Sequence, residues 1–589
     1  MGRHGLSITR VAGACYLLIA AAFVGTSVYV LAVASWTVIS FDQWRIYDGY
    51  FSRGFLPGLL ASQNGHHPIL PGILSLLDIN FFGAHNYLLN VTGIVLAVVS
   101  ACLWSRLILR DRELLPLQRL LAIGILWIFV FWLANRRVLG HGNESLHVYL
   151  LVCGFFLAWW AVVVYGPAHR ETEMRAVLLG CLGCSVATFS YGTGIITWLV
   201  VIALACFSCS RRAPIMISAV FTAHIAFYVA GFSLAGGGRR LAGFAPLAAL
   251  LDAATWLGSP SFHILSATTR IDGTVLLNVI CPALGLLGVS VALCAVVSAV
   301  RKGRKVSELE SWCAAVLAFC SGSALLVALG RQAYFDNLPE QRVAPRYLPW
   351  ACLFWVAALV FLALGASRGR TRFAMGSWTV VLFALPVLLA PSHTGRDLES
   401  AKYGLEHAAV GLSLGIHDAP TVTRLFRRPE VVFRVAEALK ERKVAMFDWP
   451  IADQLGKRFA DLYRTVEVGD SGGAAPSLSA VSGGEAGDRI FGGVVTRPRA
   501  GFSDLVVVDR HGIITGGGLI RGTGHGWARR LGLLARTSPR YIGYTRHYIP
   551  EDSYRFFAVD LEDRTAFLLT AVAGPSTLQS EQGEQGGRR

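Results

Sequence analysis

The chain has 589 residues, of which 54% are apolar and 15% charged, and its mean hydropathy is +0.52. An ordinary soluble domain carries about 25% charged residues, so this composition rules out disorder, a collagen-like fibre and a disulfide-stapled miniprotein, and argues against a wholly soluble enzyme; it leaves a multi-pass membrane protein with a soluble part. Of the net charge of +16, residues 1–390 hold +13 and residues 391–589 hold +3; with no Lys/Arg-rich run interleaved with aromatics, the excess reads as positive-inside loops and not as a nucleic-acid surface.

Arg3 and Arg10 precede an apolar stretch over 11–36 that is too long for a signal-peptide core and has no small-x-small cleavage site after it, so it predicts a retained first span. A span needs about 20 apolar residues. On that basis the chain offers 11–36, 86–108, 120–134, 146–166, 176–190, 193–209, 214–235, 273–300, 312–330, 347–366 and 373–390. With the N-terminus inside, the inner segments hold 17 basic residues and the longer outer ones hold 10, which favours that orientation. An odd number of spans then puts the C-terminal region outside. The 12 cysteines, none beyond Cys352, read as small buried hydrophobes, including the Cys181/Cys184 and Cys206/Cys209 pairs.

The first outer segment, 37–85, is long, and 47–61 predicts a helix lying in the membrane interface. Asp42, between Phe41 and Trp44, reads either as a base at the membrane–water boundary or as the cap of that helix. Asp48 lies farther along the same helix, and Asp78 ends the apolar run 69–77 as a second acid or a plain helix end. The adjacent His66 and His67, before Pro68, can bind a phosphate, share a proton or ligate a metal; a polar loop is the alternative, and no third zinc ligand follows at a telling spacing.

Arg136 and Arg137 lie outside, against the positive-inside trend, so they call for an anionic ligand, lipid phosphate or Glu144. Residues 188–194 break an apolar stretch, as cavity-lining helix breaks or tight turns do. Arg346 and Tyr347 open the tenth span after Gly330 and Arg331; an arginine there either binds phosphate or snorkels to headgroups.

Beyond 390 the pattern changes to amphipathic helices over 391–468, a Gly/Ser-rich linker over 469–487, short strands over 488–575 that predict a small β-sandwich, and a disordered tail over 576–589. Trp527, Tyr541 and Tyr544 read as core aromatics or as sugar-stacking platforms.

Taken together, Asp42-Gln43-Trp44 after the first span, Asn64-Gly65-His66-His67, Ser190-Tyr191-Gly192-Thr193-Gly194, Gly330-Arg331 and Arg346-Tyr347 resemble the GT-C superfamily, and more closely a group of bacterial multi-pass proteins. The resemblance covers most of the chain. It implies an α-helical polytopic fold of about 11 spans with an extracytoplasmic α+β region, in the plasma (inner) membrane. The implied activity is transfer of a sugar from a polyprenyl-phosphate donor to an envelope glycan or lipid acceptor. Asp42 would be the base, with Asp48 and Asp78 as further candidate acids. Arg346 would hold the leaving phosphate, helped by Arg331 or His66/His67, with Arg136, Arg137 and Tyr347 completing the substrate-binding set. Gln43 stands where many members have a second acid, so no cofactor is firmly implied and a divalent metal is left open. Membrane lipids are expected partners and nucleic acid is not. A transporter or flippase of lipid-linked sugars, or a glycan-repeat polymerase, is the alternative.

Overall fold

The computed structural model describes residues 3–61, 63, 66–168, 173–234, 245–369, 372–466, 476–481, 485, 487–495, 502–521, 525–535 and 540–572. Most of the predicted linker, Asn64 and Gly65, the Gly-Arg-rich stretch 236–240 and the predicted tail lie outside these residues. The chain divides into two compact units. One comprises Met1–Ser35, Leu59–Leu74 and Leu88–Gly395; the other comprises Trp36–Gly58, Ser75–Tyr87 and Arg396–Arg589.

The first unit is helical. Among the described residues eight helices are long and apolar enough to cross a membrane: Val11–Ala34, Tyr87–Arg110, Pro116–Gly140, Gly142–Tyr165, Glu173–Ser190, Gly273–Lys302, Glu308–Asn337 and Leu348–Arg368. These answer to eight of the predicted spans. Gly192–Ser208 is a shorter apolar helix, and helices Arg212–Leu234 and Arg372–Leu389 occupy the other two predicted stretches. Aromatic rings fill the middle of the bundle, where Trp312 packs on Trp104, Phe155, Phe156 and Trp159 with centroids 5.0–5.9 Å apart. Rings of this size bury much apolar area in fixed geometry, and they pack tightly where lipid offers no hydrophobic drive between helices.

One end of this bundle is tied by charge. Glu310, fully buried, accepts from Lys302 Nζ at 2.7 and 2.8 Å, from Arg368 Nη2 at 2.6 Å and from Ser298 Oγ at 2.8 Å. Arg368 also donates to Glu113 at 2.7 Å. Ser307 caps the helix that carries Glu310 and donates to Asp111 Oδ2 at 3.1 Å.

The helix predicted over 47–61 is broken in two. Helix Gln43–Arg53 stops at Gly54, whose φ of 82° only glycine adopts without strain, and a short helix Phe55–Leu60 follows. Trp44, Ile46 and Tyr47 are buried, whereas Phe55, Leu56 and Leu60 of the second helix are exposed. Asp48 pairs with Arg434 on helix Pro429–Arg442, and the Phe41 amide donates to Leu425 O at 2.6 Å.

The strands form one sheet, which corrects the predicted β-sandwich. They are β1 (Arg464–Thr465), β2 (Ser477–Ala480), β3 (Arg489–Val494), β4 (Asp504–Val508), β5 (Ile514–Arg521), β6 (Arg540–Thr545), β7 (Tyr554–Asp560) and β8 (Thr565–Val572). Their order is β1-β8-β7-β4-β5-β6-β3-β2, antiparallel except for β1 on β8. The sheet coils so strongly that Phe491 on β3 meets Phe556 on β7, with centroids 5.0 Å apart, although three strands separate them. Its concave face therefore closes its own core of Phe491, Leu505, Val507, Tyr541, Phe556 and Phe567. Val410, Leu414, Ile451 and Phe459, from the helical region, share a second core with Val506, Val508 and Phe557. Strands β1 and β2 also lie outside the predicted 488–575 boundary, β2 inside the predicted linker.

Candidate functional site

The three candidate acids all belong to the second unit, and the structure gives each a different setting. Asp42 occupies the N-cap position of helix Gln43–Arg53 but its side chain does not cap that helix; it sits 3.4 Å from Arg45 with 47% of the side chain exposed. Its neighbours Gln43 and Trp44 are structural. Gln43 Nε2 donates to Asn86 Oδ1 at 2.7 Å, and Trp44 Nε1 donates to Ile39 O at 3.0 Å. Asp48 is held by Arg434 through two bonds of 2.8 and 3.0 Å. Asp78 is fully buried and accepts the Asn86 amide at 3.0 Å. It fixes a turn in which Ala84 and Asn86 both have φ of 60°. Asp48 and Asp78 thus hold the unit together.

The candidate binding residues belong to the first unit, and here several converge. Tyr191 stands at the break between helices Glu173–Ser190 and Gly192–Ser208. Around it lie His66 at 5.2 Å, His147 at 5.8 Å and Trp350 at 6.3 Å between ring centroids. Burial pushes its hydroxyl up to about 12, against the pull of the Arg331 and Arg346 charges. A Cβ on Gly192 would collide with the His66 imidazole, which explains the glycine at this break. Gly192→Ala is accordingly expected to displace His66 and to change ligand binding while leaving most of the bundle folded; circular dichroism beside a binding titration checks this.

Arg331 marks a kink in helix Glu308–Asn337, with φ of −128° and ψ of 16°, and its Nη1 donates to the Tyr347 hydroxyl at 2.9 Å. Arg346 lies over the Tyr347 ring at 4.8 Å and over the Tyr334 ring at 5.9 Å, and it donates to Gln341 Oε1 at 3.1 Å. Among the described residues neither arginine has a carboxylate partner. Other arginines of the unit do. Arg137 grips Glu144 with bonds of 2.6–3.0 Å, which answers the alternative raised for it, and Arg342 pairs with Asp252 at 2.8 Å. Arg136 acts on His263, whose pKa burial lowers to about 4 with that positive charge adding to the effect.

His66 and His67 do not act as a pair. His66 faces Tyr191, whereas His67 is buried between the rings of Phe227 and Tyr228 with Nδ1 2.9 Å from Leu60 O. Adjacent residues in an extended turn point apart, so a joint phosphate or proton role does not fit them. Among the described residues no group of three or more His, Cys, Asp or Glu side chains is placed to hold a metal ion.

Sequence reasoning missed Tyr334 and His147. Tyr334 was findable, because it follows Arg331 by one helical turn and so shares its face. Of the predicted sugar-stacking aromatics, Tyr541 and Tyr544 are buried in the sheet and Trp527 is 47% exposed. These features define a polytopic, mostly helical membrane protein with a C-terminal sheet. Compared with family models, curated proteins and solved structures, the chain matches none.

Proposed function

We propose that the protein is an integral membrane glycosyltransferase of about eleven spans, moving a sugar from a polyprenyl-phosphate donor to an envelope glycan or lipid acceptor on the outer side of the membrane. The observation that carries this reading is the pair Arg331 and Arg346, beside Tyr191, Tyr334 and Tyr347 and without a carboxylate among the described residues. Two guanidiniums, one at a helix kink and one just before helix Leu348–Gly369, with no carboxylate partner among the described residues, suit an anionic group of phosphate geometry. A lipid-phosphate sugar is a phosphodiester with one negative charge. When the anomeric C–O bond breaks, the leaving lipid phosphate gains a second. Cations fixed in place then stabilise the product-like transition state more than the bound donor, which is what accelerates the step. Asp42 takes the proton of the attacking hydroxyl in this reading, since Asp48 and Asp78 are engaged by Arg434 and Asn86.

The same arginine pair suits a transporter of lipid-linked sugars, and one experiment separates the two. Purified protein in vesicles is given radiolabelled polyprenyl-phosphate sugars and an acceptor glycolipid. Transfer by the wild type, lost in a folded Asp42→Asn protein, is the expected result. Transfer retained by Asp42→Asn removes Asp42 as the base, and donor crossing the bilayer without transfer selects the transporter.

A further inference from the structure

A second cluster of arginines lies in the other unit, around Asp42, and the sequence gives no hint of it because its members are nearly four hundred residues apart. The Phe41 amide bonds to Leu425 O at 2.6 Å and clasps the loop before helix Gln43–Arg53 to the turn before helix Pro429–Arg442. That clasp brings Arg45 over the Phe426 ring, 5.3 Å from its centroid, and puts it within electrostatic reach of Arg427 and Arg428. Burial lowers the Arg45 pKa from its ordinary value; Asp42 opposes this, and the positive charges of Arg427 and Arg428 add to it. Asp42, 3.4 Å from Arg45, answers one of the three charges. Arg427 and Arg428 are exposed, and among the described residues neither has a carboxylate within ion-pair distance. Glu430, in the first turn of the following helix, interacts with Arg434.

Like charges gathered by a built contact cost free energy unless an anion repays it. Arg428 is also the N-cap residue of the 14-residue helix Pro429–Arg442, whose dipole favours an anion at that end. Arginine forks match phosphate oxygens bidentately, which a compact ammonium does not. We propose that Arg45, Arg427 and Arg428 form a binding site for a phosphate group, carried by a lipid headgroup or by a phosphorylated glycan. Its residues belong to the other unit from Arg331 and Arg346, and it does not depend on the glycosyltransferase reading. If that reading holds, the phosphate here belongs to the acceptor side, next to Asp42.

The test is calorimetric titration of inorganic pyrophosphate into the full-length protein in neutral detergent. The wild type is expected to bind two equivalents. Arg427→Glu/Arg428→Glu, at exposed positions that folding tolerates, is expected to keep one, its own site weakened about tenfold or more. Arg427→Lys/Arg428→Lys keeps the charge and retains weaker binding at both sites. Arg331→Gln/Arg346→Gln also keeps one equivalent, lost on adding the Glu pair. Two undiminished equivalents in the Glu pair overturn the inference, as does a wild type that binds none or only the one removed by Arg331→Gln/Arg346→Gln. Two equivalents in Arg331→Gln/Arg346→Gln count against the donor site alone. Repeating the titration in nanodiscs identifies the source. Phosphatidylglycerol that displaces the second equivalent, where phosphatidylcholine does not, points to a lipid headgroup; two equivalents in both points to a phosphorylated glycan.

Discussion

Arg346→Gln is expected to lower sugar transfer roughly 10²–10³-fold in kcat, the cost of removing one fixed donor from a developing oxyanion. The side chain is positioned by the Tyr347 and Tyr334 rings and by Gln341, all of which remain in the variant. No carboxylate is stranded by the change, so the folded state should be little affected. Arg346→Lys separates charge from shape. A lysine keeps the positive charge but loses the planar stacking and the fork, so an intermediate rate is expected. Arg331→Gln should act in the same direction, because Arg331 reaches the same tyrosine hydroxyl at 2.9 Å. Arg342→Gln offers the contrast. It leaves the buried Asp252 without its cation, and its main effect should be on stability and not on rate. The measurements are single-turnover transfer rates and thermal unfolding in the same detergent. A folded Arg346→Gln protein with wild-type transfer would remove the phosphate role.

Glu310→Ala is expected to destabilise the helical unit by about 3–5 kcal/mol, the usual cost of breaking a buried ion pair from one side. The carboxylate is fully buried and holds Lys302 and Ser298 of helix Cys281–Lys302 and Arg368 of helix Leu348–Gly369. Its loss takes the carboxylate from both cations, leaving Arg368 with Glu113 among the described residues. Glu310→Gln preserves volume and some hydrogen bonds and should cost less, though two positive charges still meet a neutral amide. Thermal unfolding of the purified protein reads both variants. Glu310 and Arg331 lie near opposite ends of helix Glu308–Asn337, about 30 Å apart along its axis, so residual transfer by the folded fraction of Glu310→Ala should match the wild type per folded molecule.

The membrane helices were legible because their signal is local: some twenty apolar residues leave few options. The break at 188–194 was equally plain, and it is where Tyr191 stands. The first outer segment was legible only in part: Gly54 divides its helix in two, and the burial of Trp44, Ile46 and Tyr47 is a tertiary property that no short window records. The single sheet was hidden in the same way. Alternating strands read alike in a sandwich or in one coiled sheet, and the contact of Phe491 with Phe556 is a property of curvature that no short window records. His66 and His67 were adjacent in sequence and diverge in space, whereas Arg45 and Arg428 were remote and converge. Local pattern names residues that can do chemistry. It does not say which of them meet.

The second unit draws on Trp36–Gly58, Ser75–Tyr87 and Arg396–Arg589, so about 300 residues separate its early parts from its late ones. At about 5–20 residues per second the ribosome needs roughly 15–60 s to make that stretch. Throughout that delay Trp44, Ile46 and Tyr47 have no late partner, while the strained left-handed turn at Phe41 awaits Leu425. The nascent chain therefore carries an unfinished apolar surface for most of its synthesis.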